Sequence, residues 1–101
     1  RDDAMPLTVG KIVALGRNYA AHAREMGAAP AAAPLLFLKP ASSVIGPGEK
    51  IHHPPQSERG DYEAELGVII CRLTTKVDEA DAMDHVFGYT CVNDVTAAVP
   101  A

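Results

Sequence analysis

Residues 61–70, Asp-Tyr-Glu-Ala-Glu-Leu-Gly-Val-Ile-Ile, begin by alternating acidic and apolar side chains and end in a continuous apolar run. A period of two belongs to a β-strand, whose successive side chains point to opposite faces. The closing Val-Ile-Ile predicts burial on both faces towards the strand's end. A strand of this kind needs partners, and other short apolar runs supply them. Residues 11–15 form one, ended by Gly16, and suit a buried strand followed by a turn; residues 35–38 predict a second buried strand, ended by Lys39-Pro40. Residues 42–45, the turn Gly46-Pro47-Gly48 and residues 50–53 lead into Pro54-Pro55, and residues 87–96 return to strand.

Two helices interrupt this pattern. Asn18 is placed to N-cap residues 19–26, an Ala-rich stretch of about two turns closed by Gly27. Residues 78–85 predict the second, with Asp78 near its start. Residues 28–34 hold only Ala and Pro and read as a loop or flap. The expected fold is mixed α/β, mainly β, in a single domain over residues 1–101.

At 101 residues, a chain buries only about 60–65% of its unfolded surface. With no Trp and an aromatic share of 5%, Val, Ile, Leu and Ala must fill the core. Marginal stability alone, or support from a partner chain, is expected. The net charge of -4, with nine Lys and Arg spread along the chain, leaves no basic stripe for phosphates and argues against nucleic acid as a partner. Cys71 and Cys91 are too few for a disulfide framework or a zinc site, which predicts a reducing, cytoplasmic setting. No run reaches the roughly 20 apolar residues of a membrane span, and the N-terminus lacks a signal pattern. Beginning at Arg1 and ending at Val99-Pro100-Ala101, the chain reads as a piece of something longer.

The alternation puts Glu63 and Glu65 on one strand face, about 7 Å apart along it, with Tyr62, Ala64 and Leu66 on the other. Carboxylates that close repel unless water or an oxygen-seeking cation such as Mg²⁺ or Mn²⁺ bridges them. By pattern alone, an exposed polar strand face is the commoner reading. Asp94 lies in an otherwise apolar run, where an unpaired charge is costly. A turn made by Asn93 and Asp94 accounts for it; so does a third carboxylate ligand beside the Glu pair. His22 and Glu25 are three residues apart on the first predicted helix and share a face, either as a solvated pair or as an imidazole held by a carboxylate for general-base work. His52 and His53 are adjacent, point apart on a strand and receive no role.

Taken together, Gly16-Arg17-Asn18-Tyr19-Ala20-Ala21-His22 and Phe37-Leu38-Lys39-Pro40 resemble the opening of fumarylacetoacetate hydrolase-family domains. Ile45-Gly46-Pro47-Gly48, Asp61-Tyr62-Glu63-Ala64-Glu65-Leu66 and Gly88-Tyr89-Thr90 with Asn93-Asp94-Val95-Thr96-Ala97 resemble the family's later motifs, in the family's order. The resemblance implies part of a β-roll with a short lid helix near the N-terminus. It implies Glu63, Glu65 and Asp94 as ligands of Mg²⁺ or Mn²⁺, His22 with Glu25 as a water-activating dyad, and Arg17 facing substrate. It further implies a metal-dependent hydrolase, decarboxylase or isomerase of small 2-oxo or β-diketo acids, in a homodimer. There the metal acts as Lewis acid on the oxo-acid, and His22 deprotonates water or shuttles a proton. After Ala97 the family continues with an Arg-containing stretch, where this chain has Ala98-Val99-Pro100-Ala101. Roughly half of the family's domain, with most substrate-selecting residues, has no counterpart here. The competing expectation is therefore a truncated, non-catalytic remnant or interaction module that keeps the scaffold, with or without the metal site.

Overall fold

Short apolar runs separated by tight turns make antiparallel ribbons, and three two-stranded ribbons appear among the described residues of the computed structural model. It describes residues 7–16, 18, 27 and 33–98. The chain divides into two compact units, Arg1–Glu49 and Lys50–Ala101. The mainly β expectation holds.

In the first unit, β1 (Ile12–Gly16) pairs with β2 (Leu35–Lys39), Ile12 lying opposite Lys39 and Gly16 opposite Leu35. A single 3₁₀ turn at Ala41–Ser43 follows. Gly46-Pro47-Gly48 then forms the expected turn, closed by the Glu49 N–H on the Gly46 carbonyl at 3.2 Å, with Gly48 at φ +81°. That geometry is a type II turn, in which Pro pre-sets the first central residue and Gly takes the positive φ of the second. Gly27 likewise has φ +75°, which glycine adopts at no steric cost; the helix predicted before it lies outside the described residues. Residues 40–58 contain no strand.

The second unit holds the strongest strand signal, split in two. β3 (Arg59–Asp61) pairs with β6 (Thr96–Ala98), and β4 (Ala64–Ile70) pairs with β5 (Val86–Asn93). Thus the single strands predicted over 61–70 and 87–96 are each interrupted. Both ribbons share one register: Asp61 faces Thr96 and Ala64 faces Asn93, so they are one long hairpin opened for two residues on each side. At its far end the register shifts between Ile69 and Ile70, a bulge around Phe87.

The connection after β4 is tied by polar side chains. Arg72 donates to the Asp84 carbonyl. The single hydroxyl proton of Thr74 goes to the Arg72 carbonyl at 2.9 Å, so at 3.0 Å His85 Nδ1 is the donor to Thr74 Oγ1. The helix expected over 78–85 is a 3₁₀ helix, Glu79–His85, preceded by Asp78 with no side-chain cap bond. At the start of β3, Ser57 is buried, donates its hydroxyl to the Arg59 carbonyl at 2.7 Å, and receives the His53 ring N–H on its own carbonyl. No helix among the described residues is long and apolar enough to cross a membrane.

Three expectations of burial are corrected. Val13 and Leu15, on β1, are 55% and 42% exposed. Leu36 and Leu38, on β2, are 66% and 69% exposed, and Val68 and Ile70, at the apolar end of β4, are 49% and 50% exposed. No large side chain among the described residues is fully buried. The reason is geometric: a ribbon has two faces, and only a second layer can cover the outer one. Accordingly, Leu66→Lys, at a position 61% exposed, is expected to change the stability of this chain by less than about 0.5 kcal/mol. Chemical denaturation checks this; a loss above about 2 kcal/mol would mean the face is covered in solution.

Candidate functional site

The opening in the long hairpin falls at Tyr62-Glu63 on one side and Asp94-Val95 on the other, where the shared register sets Glu63 opposite Asp94. One rung survives there, from the Asp94 N–H to the Glu63 carbonyl at 2.9 Å. In a regular antiparallel pair the return bond would run from the Glu63 N–H to the Asp94 carbonyl. Here the Glu63 N–H donates to Asn93 Oδ1 at 3.0 Å. The Asp94 carbonyl accepts the Thr96 hydroxyl at 2.9 Å.

Glu63, Glu65 and Asp94 are all half-buried, whereas Tyr62, Ala64 and Leu66 are exposed, so the acids occupy the more covered side of the strand. Residues directly opposed on an antiparallel pair carry their Cβ atoms about 4.5–5.5 Å apart on the same face. Glu63 and Asp94 are such neighbours, and Glu65 is the next residue along that face, opposite Val92. Beyond it comes Gly67, opposite Thr90. A Cβ at Gly67 would stand 2.7 Å from Val92 Cγ2 and 3.0 Å from Thr90 Cγ2, so the absent side chain lets these two lean over the strand.

The structure therefore brings the three acidic residues predicted from sequence to one end of one ladder. Among the described residues, no three His, Cys, Asp or Glu side chains gather closely enough to hold an ion as they stand. Arg17, His22 and Glu25 lie outside the described residues. His53 is engaged with the Ser57 carbonyl. Sequence reasoning set Asn93 beside Asp94 in a local turn, but its side chain reaches across the ladder instead. It passed over Thr96; the available signal was a hydroxyl two residues after an acid, a spacing that closes a local turn.

The acids fit a divalent cation by donor type. Three carboxylates are the hard oxygen ligands that Mg²⁺ and Mn²⁺ select, with water completing the shell. By contrast, the exposed Arg59–Asp61 ion pair at 3.0 Å is of the surface kind that contributes little.

Known proteins resemble this chain over most of its length. The chain is 47% identical over 97 residues to an uncharacterised protein of Pyrococcus horikoshii, covering 96% of this chain and 42% of that one. It is 42% identical to a mitochondrial oxaloacetate tautomerase of Xenopus laevis, over 86% of this chain and 27% of the relative. Among solved structures, a 5-carboxymethyl-2-hydroxymuconate delta-isomerase from Mycobacterium smegmatis superposes with a TM-score of 0.77 at 41% identity, covering 91% of this chain and 37% of that one. The chain thus spans less than half the length of each of these relatives. Residues 11–100 match the fumarylacetoacetate hydrolase C-terminal family, and the chain belongs to that family.

Proposed function

We propose that this chain carries the metal-holding half of an active site acting on small 2-oxo or β-diketo acids, with Glu63, Glu65 and Asp94 as the ligands of Mg²⁺ or Mn²⁺. The observation that supports this most is the opened rung, where two half-buried acids face each other across the hairpin with a third beside them. A divalent cation held there supplies Lewis-acid polarisation of a carbonyl oxygen. The carboxylates orient that charge, and the leaning side chains of Thr90 and Val92 beside Gly67 border the same face. His22, oriented by Glu25, moves the proton: it takes one from water in a hydrolysis or from a carbon next to the carbonyl in a tautomerisation. Arg17 pairs with the substrate carboxylate. A tautomerase and an isomerase stand among the relatives, beside putative hydrolases of Burkholderia, so both branches have support. Cytoplasmic residence and homodimerisation belong to the same reading; free Cys71 and Cys91 are in keeping with a reducing compartment.

The test is deuterium incorporation at C3 of oxaloacetate in D₂O with Mn²⁺. Exchange above the buffer rate is expected, falling by roughly 10²–10⁴-fold in His22→Gln, the usual contribution of a positioned general base. Exchange equal to buffer with oxaloacetate, together with no hydrolysis of an acylpyruvate, would sink the catalytic reading and favour a non-catalytic scaffold.

A further inference from the structure

We propose that Asn93 and Thr96 are positioning residues for the candidate metal ligands, because their side chains break the one backbone bond that would otherwise flatten Glu63 and Asp94 into the ladder. The argument begins with register. The same pairing runs from Arg59 opposite Ala98 to Ile69 opposite Gly88, so nothing in the alignment of the strands requires a gap. A gap nevertheless opens at a single point, and both groups that should have closed it are occupied by side chains. Asn93 Oδ1 takes the Glu63 N–H at 3.0 Å, and the Thr96 hydroxyl is given to the Asp94 carbonyl at 2.9 Å.

The substitutes are matched to the orphaned groups. An amide oxygen can accept an N–H, and a hydroxyl can donate to a carbonyl, so neither backbone group is left unsatisfied when the rung opens. Valine in place of Thr96 would have the same shape but no proton to give, so nothing would hold the Asp94 carbonyl turned towards Thr96 and away from the Glu63 N–H. The two residues sit on either side of Asp94 and act on the backbones of both opposed acids from outside the ligand set. A closed rung would restore regular pleating there; an open one lets the two carboxylates turn towards a common point.

This inference rests on the reading of Glu63, Glu65 and Asp94 as ligands, and the experiment separates the two. Mn²⁺ affinity of the whole chain is measured from the paramagnetic resonance signal of free Mn²⁺, for the parent and for Glu63→Gln, Asn93→Ala, Thr96→Val and Thr96→Ser. Removing groups that orient metal ligands typically weakens binding 10–100-fold. Asn93→Ala and Thr96→Val are each expected to weaken Mn²⁺ at least tenfold, and Thr96→Ser, which keeps the hydroxyl, to remain within about twofold of the parent. A merely structural threonine would lower the metal-free unfolding temperature without this rescue pattern. If Glu63→Gln loses Mn²⁺ while Asn93→Ala and Thr96→Val bind as the parent does, the positioning role is overturned and the ligand reading stands. Equal weakening in Thr96→Ser and Thr96→Val also overturns it, since the hydroxyl would then be irrelevant. A parent that does not bind Mn²⁺ removes the ligand reading, and this inference with it.

Discussion

The Glu63→Gln, Glu65→Gln double variant is expected to unfold at one temperature whether or not Mn²⁺ is present, while the parent chain gains stability from the ion. A ligand that binds only the folded chain stabilises it by about 2.7 kcal/mol at a hundred times its dissociation constant. For a domain near this size that corresponds to roughly 10–20 °C in Tm. Amides keep the shape of the carboxylates but lose the charge that holds a hard cation. Without metal the two chains are expected to differ little, because the amides keep the shape of the carboxylates at these half-buried positions. Differential scanning calorimetry with and without Mn²⁺ reads both effects; a parent indifferent to Mn²⁺ would refute the ligand assignment.

Gly67→Val should destabilise the metal-free chain by about 2 kcal/mol, near the middle of the range for forcing extra carbons into a packed contact. The new Cβ alone would stand 2.7 Å from Val92 Cγ2 and 3.0 Å from Thr90 Cγ2, so these neighbours must shift to admit it. Part of this cost is offset, because a glycine in a strand interior is itself unfavourable by roughly 0.5–1 kcal/mol. Removing the neighbour should therefore rescue the variant: in a Val92→Ala background, Gly67→Val should be close to neutral, a coupling within the 0.5–3 kcal/mol seen for residues in contact. Urea unfolding of the four chains gives the cycle. Simple additivity would show that the cost of valine does not come from Val92.

What could be read in advance was decided by local rules. The alternation of residues 61–70 placed Glu63 and Glu65 on the opposite side from Tyr62 and Leu66, and the half-buried and exposed positions alternate in that way. Pro47 and Gly48 specified their turn, because one pre-sets a negative φ and the other accepts φ +81°. The helix type of residues 79–85 was less legible, since α and 3₁₀ turns share residue preferences and differ by one position in their bonding. Apolar content misled at Leu36, Leu38, Val68 and Ile70. An apolar run states that a strand prefers cover, and says nothing of whether a second layer is present to provide it.

The shared face of Glu63 and Glu65 and a mainly β chain were thus determined by sequence alone, because side-chain alternation and turn chemistry act over a few residues and need no partner to be read. That Asp94 stands opposite Glu63, 31 positions earlier in the chain, was decided only by pairing in three dimensions. The opening of the hairpin at that rung was decided there as well. It depends on Asn93 and Thr96 outcompeting a backbone bond, and such competition exists only once the two strands have met.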